Sequence, residues 1–106
     1  MYKRQWLKNP DWKLTPIDSE MDCPHSLAAA DVDNDGDIDF ASCGFKSKRV
    51  SLYLNDGKGN FTRNDLDLNQ ESYDLHFVDM DNDGDLDLLN AGRASSNVVW
   101  YENGLK

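Results

Sequence analysis

No stretch of the sequence approaches the ~20 apolar residues that a membrane-spanning helix needs. The opening MYKRQWLKNPDW also lacks the apolar run of a secretory signal peptide. A soluble chain without a membrane span is expected, either a mature protein or a piece of one. A helical 3.6-residue apolar stripe is missing too. Cysteine is scarce: Cys23 and Cys43 are too few for a disulfide framework and match no zinc spacing, which leaves their pairing and the redox compartment open. Positive charge is in deficit, with 11 Lys and Arg against 20 acids and a formal net charge of -9. A nucleic-acid partner, which would be held by phosphate neutralisation, is therefore not expected. Apolar content is not lacking: 39% hydrophobic residues, with three Trp, four Tyr and four Phe, suffice for the core of one small domain of 106 residues.

The acidity is concentrated. Seventeen of the 20 acids are Asp, and ten of them fall in two nine-residue windows, DVDNDGDID from Asp31 to Asp39 and DMDNDGDLD from Asp79 to Asp87. Without those ten the chain is close to neutral. The windows belong to an internal repeat: a shift of 48 places Leu27 on Leu75, Asp31 on Asp79, Gly36 on Gly84, Gly44 on Gly92, Val50 on Val98, Tyr53 on Tyr101 and Asn55 on Asn103 without a gap. A partial third copy opens the chain. Trp6 to Asn9 echoes Leu52 to Asn55, and Trp12 to Asp18 echoes Phe61 to Asp67.

Short alternating segments rich in β-branched and aromatic residues predict strands. The first full unit, residues 25–67, carries strands near Ser26 to Ala30, Ile38 to Ser42, Val50 to Leu54 and Phe61 to Leu66. The second, residues 73–104, repeats the first three near Leu75 to Val78, Leu86 to Asn90 and Asn97 to Glu102. Residues 1–24 supply two more, near Lys3 to Lys8 and Trp12 to Ile17. Turn chemistry joins them, as in Asn55-Asp56-Gly57-Lys58-Gly59-Asn60. Four strands per unit at a period just under 50 residues is the pattern of propeller blades. The expected fold is all-β, with two four-stranded antiparallel propeller blades forming a partial propeller in a single module spanning residues 1–106.

Each window sets Asp at five alternate positions: Asp31, Asp33, Asp35, Asp37 and Asp39, then Asp79, Asp81, Asp83, Asp85 and Asp87. Carboxylates so close raise one another's pKa and resist compaction unless a cation lies among them. Ca²⁺, which accepts 6 to 8 oxygens in flexible geometry, suits them better than Mg²⁺, and two ions per chain are expected. Gly36 and Gly84 at position six fit the sharp turn of such a loop. Positions one, three, five and nine would offer side chains and position seven its carbonyl. Asn34 and Asn82 would be turn residues, and Ile38 and Leu86 would anchor the exit strand in the core. An EF-hand does not fit, because Ser42 and Asn90 stand where its twelfth-position Glu belongs and the flanking helices are missing. A plain hydrophilic hairpin turn is the competing reading, and two register-matched copies of five Asp argue against it.

The stretch PHSLAAADVDNDGDIDFASCG, followed by a strand ending VVWYENG, resembles the FG-GAP or VCBS repeat family of calcium-binding β-propeller blades, related to the calcium loops of integrin α-subunit propellers. The resemblance covers nearly the whole chain. It implies calcium ligands from the side chains of Asp31, Asp33, Asp35 and Asp39 with the Asp37 carbonyl, and from Asp79, Asp81, Asp83 and Asp87 with the Asp85 carbonyl. It also implies an extracellular or cell-surface setting.

Two blades leave two outer faces uncovered. Trp6, Trp12, Phe61, Val98, Val99, Trp100 and Tyr101 are candidates for inter-blade faces, and exposed apolar area marks an association surface. Self-association into a ring within the ~4 to 8 blades usual for propellers is expected. A carbohydrate or protein ligand is the other expected partner, with Trp100-Tyr101 as a sugar platform weighed against plain inter-blade packing. His25 and His76 fall opposite Tyr73 and Ala28, not each other, and read as rim residues. Lys46, Lys48 and Arg49 read as a solvated basic loop. No nucleophile elbow is present, and an enzyme is not expected.

Overall fold

The computed structural model describes residues 4–93 and 95–104. Nine antiparallel strands and no helix occur among them: β1 (Arg4–Lys8), β2 (Lys13–Asp18), β3 (Pro24–Ala30), β4 (Asp39–Gly44), β5 (Arg49–Asn55), β6 (Phe61–Asp67), β7 (Ser72–Val78), β8 (Asp87–Gly92) and β9 (Val98–Tyr101). Among the described residues there is thus no helix long and apolar enough to cross a membrane. Every expected strand is found, most with ends moved by one to three residues; Lys3 lies outside the described residues. The strands form three sheets: a β1-β2 hairpin, a four-stranded β3-β4-β5-β6 sheet and a three-stranded β7-β8-β9 sheet. Of the two expected four-stranded units, the second therefore has three strands within this chain.

Side chains alternate across a strand, so each sheet presents two faces, and the sheets stack in one direction. One face of the first sheet, with Ala28, Ala41, Cys43, Val50 and Leu52, packs on Leu75, Phe77, Leu88 and Tyr101 of the second, with Val32 sealing the seam. The opposite face of the first sheet meets the hairpin. There Phe40 stacks on Tyr53 with ring centroids 4.5 Å apart, and Trp6 of β1 sets its edge on Phe61 at 6.4 Å. Arg4 bonds Ser42 and the Ser26 carbonyl across the same boundary. In repeat register, Trp6, Leu52 and Trp100 are equivalents. Trp6 and Leu52 each cover the next sheet, while Trp100 at the open end is 43% exposed and neighbouring Val98 is 71% exposed. The far side of the hairpin likewise exposes Leu7 and Leu14.

Near the starts of β3 and β7, residues meet their own repeat counterparts. His25 stacks on Tyr73 at 4.0 Å, Ser26 donates to Asp74 at 2.7 Å, and the Arg93 guanidinium lies 4.7 Å from the Phe45 ring centroid. Under a rotation, counterparts touch only near the axis, so β3 and β7 are the innermost strands.

Two expectations need correction. Arg49 is no solvated loop residue: it lies in β5, 8% exposed, paired with buried Asp18 and close to Tyr53. Ile38 does not enter the core but stays 58% exposed beside the groove under the hairpin, although Leu86, its counterpart, is half-buried between the sheets. Trp12, a candidate for an inter-blade face, is 62% exposed within this chain. Both cysteines are free, Cys43 being fully buried.

Candidate metal centres

Each Asp window joins the first two strands of its sheet, and its bends come from the sequence. In the first, Asp31 Oδ1 and Oδ2 accept from the amides of Asp35 and Gly36 at 3.2 and 2.8 Å, and Asp35 Oδ1 accepts from Asp37 at 2.9 Å. The second repeats this pattern, with Asp79 accepting from Asp83 and Gly84, and Asp83 from Asp85. The curl needs left-handed backbone at position four, where Asn34 and Asn82 have φ of 59° and 62°, and at Gly36 and Gly84, with φ of 90° and 92°. Asn tolerates that region and Gly adopts it without steric cost, which bears out the turn roles expected for all four.

The ninth residue fastens each loop to the sheet. Asp39, fully buried, accepts from the amides of Val32 and Asn55 at 3.0 and 2.8 Å; Asp87 accepts from Met80 and Asn103 at the same distances. The Asn103 and Met80 amides hold the Asp87 carboxyl below its usual range. Inside the curl, oxygens of Asp31, Asp33, Asp35 and Asp39 lie within 4.8 Å of one another. In the second loop Asp79, Asp81 and Asp87 form one such cluster, while Asp83 gathers with Asp81 and Glu102. The side chains of Asp37 and Asp85 stand outside these clusters. The Asp37 carboxylate lies against Gly57 of the β5-β6 turn, where a Cβ would come within 2.8 Å of it.

The electrostatics fit a divalent cation. Desolvation, then the neighbouring carboxylates of Asp35 and Asp39, push Asp33 up to about 6; desolvation with Asp83, Asp87 and Glu102 does the same to Asp81. Asp33 Oδ1 is buried with no hydrogen-bond donor upon it. Oxygen-only donors with excess negative charge are what a hard cation takes.

Three residues escaped sequence reasoning. Glu102 adds a carboxylate to the second loop only, and the signal was its repeat counterpart, Leu54. Asn55 and Asn103 end their strands and return to their loops, their Nδ2 donating to Ile38 O and Leu86 O, both at 2.9 Å. They looked like turn residues because nothing in the sequence marks a partner 17 residues back. Comparison with known families finds that a model described as an FG-GAP-like repeat matches residues 31–90. No curated protein and no solved structure matches the chain significantly.

Proposed function

The chain belongs to the FG-GAP-like repeat family, and on that premise we propose that it is a non-enzymatic, calcium-binding β-propeller module that works by docking. One observation carries the reading: two register-matched loops, each curled so that side-chain oxygens converge, those of Asp31, Asp33, Asp35 and Asp39 in the first and those of Asp79, Asp81 and Asp87 in the second, where Asp83 gathers with Asp81 and Glu102. Asp37 and Asp85 are assigned carbonyl ligation. Bound calcium supplies the positive charge that lets each set of carboxylates stay ionised at close range. The loops then hold the first two strands of each blade in register. Extracellular calcium is abundant enough to fill such sites, since extracellular modules bind with Kd of ~10⁻⁴ to 10⁻³ M, and we assign the module to that setting.

Docking uses the open ends of the stack. Val98 and Trp100 are counterparts of Val50 and Leu52, which are covered by the next sheet within the chain. A second copy presenting Leu7 and Leu14 offers the complementary end, so copies stack head to tail toward a closed propeller. A second reading rests on Trp12, 62% exposed beside the hairpin turn: an indole so placed offers a flat apolar face to a sugar ring or a protein. Native mass spectrometry with and without calcium tests the first reading, with two ions per chain and an assembly larger than one chain expected. A chain that stays monomeric and takes up no ion at ~1 mM calcium sinks it. Binding on a glycan array that disappears on Trp12→Ala would favour the second.

A further inference from the structure

One side chain holds both loops at once. The Asn103 backbone amide donates to Asp87 Oδ1 at 2.8 Å, and its Nδ2 donates to Leu86 O at 2.9 Å and to Val32 O at 2.8 Å. Leu86 is the eighth residue of the second loop; Val32 is the second residue of the first. The Val32 amide in turn donates to Asp39 Oδ2 at 3.0 Å. An unbroken path of hydrogen bonds thus runs from the Asp87 carboxylate through Asn103 and Val32 to the Asp39 carboxylate, joining the ninth positions of the two loops. Val32 is 3% exposed in the seam between the sheets, where a carbonyl stripped of its partner is costly. Asn55 makes the corresponding bonds to Asp39 and Ile38. The chain holds no counterpart of Val32 for it, because β1 and β2 correspond to third and fourth strands.

We infer that Asn103 couples the two cation sites, so that filling the second loop favours filling the first and, by the reciprocity of linked equilibria, the reverse. The inference rests on the calcium reading of the loops and adds their interdependence. A cation drawn to Asp79, Asp81 and Asp87 fixes the peptide between Leu86 and Asp87 and the Asn103 amide bonded to both. A fixed Asn103 fixes the Val32–Asp33 peptide, and with it the third-position ligand of the first loop. The ordering cost of the shared residues then falls once rather than twice, which is positive cooperativity without a change of fold. Direct repulsion between two dications has the opposite sign, so the sign of the coupling separates the mechanisms.

The test is a calcium titration of the ¹⁵N-labelled full chain, read at the amides of Gly36 and Gly84, one in each loop. Asp81→Asn, at an exposed position, cripples the second loop without touching the core. The calcium midpoint at Gly36 is expected to rise about 5-fold in Asp81→Asn. In an Asn103→Ala background, Asp81→Asn is expected to leave the Gly36 midpoint where Asn103→Ala alone sets it. An unchanged or lowered Gly36 midpoint in Asp81→Asn, with Gly84 responding normally in the native chain, overturns the coupling and leaves calcium binding standing. Coupling that survives Asn103→Ala overturns the route through Asn103. If neither glycine responds to calcium in the native chain, the calcium reading falls and the inference with it. Should Asn103→Ala fail to fold, Asn103→Ser, which like Ala keeps the backbone bond to Asp87 and lacks the Nδ2 donor but retains a polar side chain, takes its place.

Discussion

The Tyr101 hydroxyl donates to Asp67 Oδ2 at 2.7 Å across the seam between the two sheets, and Tyr53 makes the same bond to Asp18 one repeat earlier. Burial, with the carboxylate next to it, pushes the Tyr53 hydroxyl up to about 12, so it remains a donor at any ordinary pH. Tyr53→Phe is expected to destabilise the fold by about 2 kcal/mol, because a charge-assisted bond to a buried acceptor is lost. Tyr101→Phe is expected to cost about 1 kcal/mol, since Asp67 is only half-buried. Urea unfolding monitored by tryptophan fluorescence measures both.

Asp18 sets an acid limit. Burial raises its carboxyl, but the Tyr53 hydroxyl, the Glu20 amide and the charges of Arg49 and Arg63 outweigh that and hold it below its ordinary value of 3.8. The folded form therefore binds the proton less readily than the unfolded chain. The resulting stabilisation is complete above the unfolded value and is lost as pH falls through the folded one. Urea midpoints in chelator should change little on Asp18's account between pH 5 and 7 and drop below about pH 4. Asp18→Asn should flatten the acid drop while costing about 3 kcal/mol at pH 7, as the Arg49 charge is left buried. An acid limb unchanged in Asp18→Asn would assign it to other carboxylates.

All nine strands were legible because the repeat superposes three partial copies, so an ambiguous segment such as Asn97 to Glu102 borrows its register from Val50 to Leu54. The curl of the loops was equally legible from Asn at position four and Gly at position six, whereas the gathering of Asp83 with Glu102 was not. Partnerships distant in sequence were not. Arg49 stands in a basic run, and only the docked hairpin brings Asp18, 31 residues away, against it. Ile38 and Leu86 hold the same loop position, yet one lies half-buried between two sheets and the other beside an open groove. Local pattern is identical there, and the neighbour decides.

Calcium removal is expected to lower the melting temperature and loosen any assembly. A ligand at ten times its Kd stabilises by about 1.4 kcal/mol per site, so two sites shift the melt by about 10 °C in a chain of this size. Asp33→Asn should remove more than half of that shift, because the second loop also loses its coupled partner. Calorimetric scans in calcium and in chelator decide; coincident scans would contradict a cation role.

The open face at β9 gives a sharp test of stacking. Val98→Asp places a charge at a position that is 71% exposed in the single chain, so the monomer fold should change by less than about 1 kcal/mol. Self-association should be lost, since burying an unpaired carboxylate is prohibitive. Light scattering after gel filtration reports the mass; an unaltered assembly would place the contact elsewhere.

Asn90 is fully buried on the face of the second sheet that meets the first, and neither atom of its amide has a hydrogen-bond partner. Leu is similar in size and has no polar group to desolvate. Asn90→Leu is expected to stabilise the fold by about 1 to 2 kcal/mol, read as a higher urea midpoint at constant m-value.

The contacts at the axis bear on why the two copies are not the same. A position that touches its own counterpart must be compatible with itself if the copies are identical. Two arginines at 45 and 93 would repel each other, and two aspartates at 26 and 74 likewise. At those places the copies have diverged into matched pairs, Phe45 with Arg93, Ser26 with Asp74 and His25 with Tyr73. The aspartate loops, which never face one another, keep nearly one spelling. Mismatch at the hub and sameness in the loops follow from a single geometric fact, and the mismatched pairs tell neighbouring copies apart.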